Sequence, residues 1–214
     1  MLEVIPAIIA KSFEEVKEKI RRVEPYVKWV QLDIMDGKFV PNETWNNPED
    51  LAQESFGVSL EAHLMINEPE KYAKDWIDAG IKRIIFHIEA MSNPQSIIHL
   101  CREKGVEVGI AINPETSTNS LDLRRLQPNL ILVLGVTPGF GGQAFKPEVL
   151  PKIKALRKLY PNITIGVDGG MNRETAQAAT EAGANIIVAG SYIFGSKDIG
   201  GAIGALKAIQ DKVL

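Results

Sequence analysis

Trp29-Val30-Gln31-Leu32-Asp33-Ile34-Met35-Asp36-Gly37 is the stretch on which the fold turns. From Trp29 to Ile34 it is a short apolar run broken only at Gln31 and Asp33, which is the composition of a strand. Side chains alternate faces along a strand with a period of two, so Gln31 and Asp33 point the same way. A strand that is apolar on both faces belongs to a parallel sheet packed on both sides. Polar side chains on such a strand are expected at the open mouth of the sheet, because burying them unpaired costs several kcal/mol.

Outward from this stretch the same kind of run recurs at Val4–Ala10, Val58–Met65, Arg83–His87, Val106–Ile112, Leu130–Val136, Ile163–Asp168 and Asn185–Gly190. Helical patterns separate the runs, which signals repeated βαβ units. With Trp29–Ile34 they make the number of strands that closes a parallel barrel, so the expected fold is α/β, a single TIM (β/α)8 barrel. An open doubly wound sheet is the alternative. Ser12-Phe-Glu-Glu15 is expected to form a capping box, and Asn93-Pro94 and Asn172 to cap helix starts. Gly80, Gly105 and Gly183 each end a helical run just before a strand, which suits a left-handed cap. No linker or shift in composition interrupts the chain, so residues 1–214 are expected as one domain.

With 45% hydrophobic residues and a mean hydropathy of −0.03, the composition is that of a soluble globule. A net charge of −3 without any basic block argues against nucleic acid as a partner. No apolar run reaches the roughly 18 residues of a membrane span, and the first residues lack the basic region of a signal peptide. Cys101 is the only cysteine and is expected as a buried side chain on a helix. A cytoplasmic location is expected.

In a barrel of this kind the loops after the strands build the active site. Asp33, His63 in Glu61-Ala-His63-Leu-Met65, and Asp168 in Gly166-Val-Asp168-Gly169-Gly170 all fall at strand ends and converge on one pocket if the barrel closes. Two carboxylates and an imidazole suit a divalent cation. They equally suit acid/base work, since neighbouring carboxylates do not both ionise cheaply and one keeps its proton. Glycines cluster on the last three loops, in Thr137-Pro-Gly139-Phe-Gly141-Gly142-Gln143, Gly169-Gly170 and Gly190-Ser191. Glycine lets backbone amides converge on an oxyanion, and this end of a barrel commonly holds phosphate. No lysine or arginine lies inside these motifs, which points to a cradle made of backbone. His87 borders the pocket and is expected to be structural, as are His99, Trp29 and Trp76; Trp45 is expected as a lid or a subunit contact.

The sequence resembles the ribulose-phosphate 3-epimerase family over nearly its whole length. The matching stretches are Leu32-Asp-Ile-Met-Asp-Gly37, Phe39-Val-Pro-Asn42, Ala62-His-Leu-Met65, Asn113-Pro114, Pro138-Gly-Phe-Gly-Gly-Gln143, Val167-Asp-Gly-Gly170 and Val188-Ala-Gly-Ser191. The resemblance implies a TIM barrel of the ribulose-phosphate-binding type that inverts C3 of D-ribulose 5-phosphate to give D-xylulose 5-phosphate. It implies Asp33 and Asp168 as the catalytic pair, and Gly139, Gly141, Gly142, Gly169, Gly170, Gly190 and Ser191 as the phosphate site. It implies one divalent metal, such as zinc, iron or manganese, held by Asp33, His63, Asp168 and a second histidine. That histidine falls on Gln31, whose neutral amide oxygen is a weaker and harder ligand; zinc should lose most by it, and magnesium or manganese least. Alternatively the Gln31 amide donates to the enediolate oxygen in the metal's place. Ala7 stands where the family has a substrate-contacting serine and Leu134 where it has a methionine, whereas Met35 and Met65 match. Family members form dimers and larger assemblies, so a homo-oligomer is implied. Because Ala7 and Gln31 line the reacting end, two further readings stay open: an enzyme acting on another sugar phosphate, and a catalytically silent phosphosugar-binding barrel.

Overall fold

In the computed structural model, which describes residues 2–118 and 121–209, eight parallel strands close into a barrel in chain order. They are β1 (Glu3–Ile8), β2 (Trp29–Met35), β3 (Ser59–Met65), β4 (Arg83–His87), β5 (Glu107–Ile112), β6 (Leu130–Leu134), β7 (Thr164–Asp168) and β8 (Ile186–Ala189). β8 pairs with β1 through Val4 and Ile187, which closes the barrel and rules out the open sheet. The helices are α1 (Phe13–Val23), α2 (Ala73–Asp78), α3 (Gln95–Lys104), α4 (Leu123–Leu126), α5 (Leu150–Leu159), α6 (Arg173–Ala182), α7 (Ser191–Phe194) and α8 (Ile199–Lys207).

All the expected strands form, with ends displaced by a residue or two. The crossover after β2 departs from the regular pattern. It carries a 3₁₀ turn, Pro48–Gln53, where an α-helix would stand. Trp45 fills the space beside it: its ring stacks on Phe13 at 5.1 Å and meets Trp76 edge-on at 5.5 Å. At 8% exposure Trp45 is a core residue rather than a lid or a subunit contact.

The caps divide likewise. Asn172 accepts from the amides of Glu174 and Thr175 and completes a capping box with Thr175. Gly80, Gly105 and Gly183 adopt positive φ as expected. Ser12 accepts from Glu15 N at 3.3 Å, but the Glu15 carboxylate takes the amide of Lys11, one residue before the cap, so the box is not reciprocal. Asn93 does not cap α3, which begins after Pro94 without a side-chain cap.

Two cores position the site. Between barrel and helices lies a large apolar layer that includes Trp76, Phe86, Cys101, Ile153 and Leu206. Inside the barrel the filling is lopsided. Ile5 and Ala7 on β1, Ile85 on β4, Ala111 on β5, Leu130, Leu132 and Leu134 on β6, and Ile186 and Val188 on β8 are apolar. On β2, β3 and β4 stand the buried polar residues Gln31, Asp33, Glu61, His63, Arg83 and His87. The lowest of these pair up: Arg83 donates to Glu61 Oε2 and, at 2.7 Å, to Glu107, and its guanidinium lies 4.2 Å over the Trp29 ring. Burial, opposed by that guanidinium, leaves Glu61 with a pKa raised to about 7. The barrel floor is thereby closed, and the polar residues above it face the mouth. No helix among the described residues is long and apolar enough to cross a membrane.

Candidate active site

Strand register sets each reacting group against its neighbouring strand. Asp33 on β2 pairs with His63 on β3, and Asp168 on β7 pairs with Leu134 on β6. His63 Nδ1 lies 3.1 Å from Asp33 Oδ1 and 3.5 Å from Asp168 Oδ2. One donor atom from each of the three residues falls within 4.8 Å of the others, so together they form a group able to hold a metal ion. Gln31, fully buried one step below Asp33, sends its amide nitrogen between the carboxylates. Nε2 donates to Asp33 Oδ1 and to Asp168 Oδ2, both at 2.8 Å, and lies 3.3 Å from His63 Nδ1. The other end of this amide, Oε1, is buried without a hydrogen-bond partner.

The electrostatics follow from burial and proximity. Burial raises Asp33 above the ordinary carboxylate range and the charge of Asp168 adds to this, while hydrogen bonds from His63 and Gln31 oppose it. For His63 burial alone would lower the pKa, but hydrogen bonds to Asp168 and Asp33 outweigh it and hold the imidazole at about 9. His87, equally buried, is held down at about 4 and is neutral at pH 7. The two rings stack at 5.0 Å, with His63 Nε2 2.9 Å from His87 Nε2. A charged His63 has a proton on both nitrogens, so Nε2–H donates to His87 and the His87 proton sits on Nδ1, 3.3 Å from Glu89 Oε2. Glu89 also accepts from the amide of Asn113 at 2.8 Å and from the Thr116 hydroxyl. His87, expected as a structural residue, therefore buttresses His63, and Glu89 stands behind it.

Above these groups a cavity of about 280 Å³ opens at the C-terminal ends of the strands. That is the lower edge of the range for small-molecule sites, roughly 300–1,000 Å³. Its wall includes Ala7, Met35, Met65 and Leu134 together with Gly139, Gly141, Gly142, Gly169, Gly170, Gly190 and Ser191. The expected catalytic, metal, phosphate and pocket residues thus all reach the cavity except Gln31, which lies beneath it; His87, expected to border the pocket, is not on its wall. Gly139, Gly142, Gly169 and Gly170 have φ between 68° and 120°, a backbone that other residues rarely adopt. Lys19 of α1 also lines the wall and belongs to none of the motifs. Its only trace in the sequence is its place on the face of α1 next to Val16 and Ile20.

A model of the ribulose-phosphate 3 epimerase family matches residues 3–194. Ribulose-phosphate 3-epimerase of Synechocystis sp. is 40% identical over 95% of this chain and 92% of its own. The cytoplasmic isoform of the same enzyme from Oryza sativa subsp. japonica is 39% identical over 96% and 92%, and that of Candida glabrata 37% over 91% and 87%. Among solved structures, 3-keto-L-gulonate-6-phosphate decarboxylase from Vibrio cholerae superposes with a TM-score of 0.79 at 13% identity, covering 100% of this chain and 99% of that one. 3-Hexulose-6-phosphate synthase from Salmonella typhimurium gives 0.75 at 15% identity over the full length of both chains, so these two share the fold alone. Sequence, barrel and matched family agree: the chain belongs to the ribulose-phosphate 3-epimerase family.

Proposed function

We propose that this protein inverts C3 of D-ribulose 5-phosphate to give D-xylulose 5-phosphate, with Asp33 and Asp168 as its acid/base pair. The observation that carries the reading is that carboxylates from β2 and β7 meet at one amide nitrogen at a cavity also lined by the glycines of the last three loops. The phosphate would lie against Gly139, Gly141, Gly142, Gly169, Gly170, Gly190 and Ser191, with C3 between the aspartates. Carboxylates this close do not both ionise cheaply, so one of the pair carries a proton while the other serves as base; we assign Asp33, the more deeply buried of the two, as the proton carrier. Asp168 then takes the proton at C3, alpha to the carbonyl, and Asp33 delivers one to the opposite face; in the reverse direction the roles exchange. Met35, Met65, Ala7 and Leu134 crowd the reacting carbon and keep water from quenching the enediolate.

The residues fit a divalent cation. His63 Nδ1 and the Gln31 amide nitrogen each lie 2.8–3.5 Å from Asp33 Oδ1 and Asp168 Oδ2, and one donor atom each from Asp33, His63 and Asp168 falls within 4.8 Å of the others. A half-turn of the Gln31 amide exchanges its nitrogen for the unpartnered Oε1 and completes a set of three oxygens and one nitrogen. Such a set favours manganese or magnesium over zinc. A bound cation would supply Lewis-acid stabilisation of the enediolate oxygens. Otherwise the His63 imidazolium and the Gln31 amide are the donors that face the same developing charge.

Cys101 is buried with its thiol pushed up to about 12, so it is inert, and we take the protein to be a cytoplasmic homo-oligomer. Incubation with ribulose 5-phosphate, followed by carbon NMR, tests the function. Xylulose 5-phosphate is the expected product. Turnover only of a different sugar phosphate would assign the barrel another substrate, and binding without turnover would make it a silent receptor.

A further inference from the structure

The cavity carries its charge unevenly. Two carboxylates, Asp33 and Asp168, occupy the reacting end with His63, and among the described residues Lys19 is the only lysine or arginine on the cavity wall. A phosphomonoester brings about −1.5 to −2 charges at pH 7. Backbone amides offer only partial charges, and the His63 imidazolium is engaged with the two carboxylates at 3.1 and 3.5 Å, so a further full positive charge beside the glycine loops would strengthen the hold on the phosphate.

The position of Lys19 suits that role. Its ammonium donates to the carbonyl of Ile9 and to Glu15 Oε1, both at 2.7 Å. Ile9 abuts the glycine loop after β6, since a Cβ built on Gly141 would lie 3.4 Å from Ile9 Cδ1. On the other side the ammonium lies 5.8 Å from the ring centre of Phe194, one helical turn beyond Ser191. Lys19 thus stands between the loop after β6 and the loop after β8, at the edge of the proposed phosphate cradle. Its side chain is 21% exposed and its partner Glu15 38%, so the pair is open to solvent and can exchange partners.

We propose that Lys19 is the cationic member of the phosphate end: Glu15 parks its ammonium on the cavity wall in the empty protein, and the terminal phosphate of the substrate takes it over. The inference rests on the sugar-phosphate reading of this cavity and adds to it a binding residue from outside the glycine loops. It also gives Glu15 a role, as a competitor that lowers affinity for the phosphate.

Binding of inorganic phosphate, measured by calorimetry, separates this assignment from the enzymatic reading because it needs no turnover. Lys19→Met should weaken inorganic phosphate and raise KM for ribulose 5-phosphate by about tenfold each, with a much smaller change in kcat. Lys19→Arg should restore most of the loss, and Glu15→Gln should tighten phosphate about two- to threefold. If the unaltered protein binds phosphate and converts substrate while Lys19→Met does both equally well, Lys19 is only an ion-pair partner on α1 and the proposal falls. If Lys19→Met is poorly folded, unchanged phosphate affinity in Glu15→Gln overturns it. Failure of the unaltered protein to bind phosphate would remove the phosphate end itself.

Discussion

Gln31 holds one amide nitrogen against both carboxylates while its own oxygen finds no partner. The site is thus satisfied at the aspartates and strained at the glutamine. Replacing it by the softer ligand implied by the family, Gln31→His, is expected to raise zinc affinity by about tenfold or more, read by calorimetry on metal-stripped protein. Equal zinc affinity in the two proteins would remove Gln31 from the ligand set. Glu89 gives a second prediction at this scale. Burial would raise its pKa, yet hydrogen bonding by His87, Thr116 and the Asn113 amide holds it at about 2, against 4.5 when free. A depressed carboxylate contributes stability that is complete above its unfolded pKa and lost as pH falls through the folded one. Between pH 4.5 and 2 the protein should therefore lose stability that the Glu89→Gln variant does not lose, on the order of 1 kcal/mol once the partial exposure of Glu89 is allowed for; parallel acid-denaturation curves would contradict this. Asp33, His63 and Asp168 were legible because each breaks an apolar strand at its C-terminal end. The His87–Glu89 buttress was not, because the neighbour that gives it meaning, His63, comes from another strand and no local spacing encodes the contact.

At the scale of elements the glycine loops decide most. Gly170 has φ +68°, and a Cβ there would lie 2.5 Å from the backbone nitrogen of Phe145, which cannot move without shifting the loop after β6. Gly170→Ala is expected to cost about 2–4 kcal/mol, from left-handed backbone and overpacking together, with a loss of phosphate affinity. Gly142→Ala, at φ +76° with open space around it, should cost only the backbone part, about 1 kcal/mol. Chemical denaturation of the two variants reads the difference, and equal losses would contradict the crowding at Gly170. The strands were legible because buried parallel strands are continuous apolar runs. The missing helix after β2 was not, since Pro48 suits a first helical turn as well as a 3₁₀ turn and the choice fell to the packing of Trp45 on Phe13 and Trp76. The incomplete box at Ser12 has the same origin: Glu15 is also drawn to Lys19 on the helix and to the amide of Lys11.

In the whole molecule, closure of the barrel brings β2 and β7 to face each other across one mouth, which no segment of the chain could do alone. Closure also explains the polar side of the interior: Arg83 pairs with Glu61 and Glu107 at the floor, while Asp33 and Asp168 stand above them beside the cavity. Counting strands sufficed to foresee this convergence. The reach of Lys19 into the cavity was hidden, because it depends on how α1 docks against β1 and α7. The central claim is that two aspartates move the C3 proton of a ketopentose phosphate through an enediolate. Its most direct test is proton exchange in D₂O with ribulose 5-phosphate, comparing the unaltered protein with Asp33→Asn and Asp168→Asn. The account predicts one deuterium at C3 of the xylulose 5-phosphate formed, and interconversion slowed by about 10²–10⁴-fold in each variant. Xylulose 5-phosphate formed without deuterium at C3, or by either variant at the unaltered rate, would contradict it.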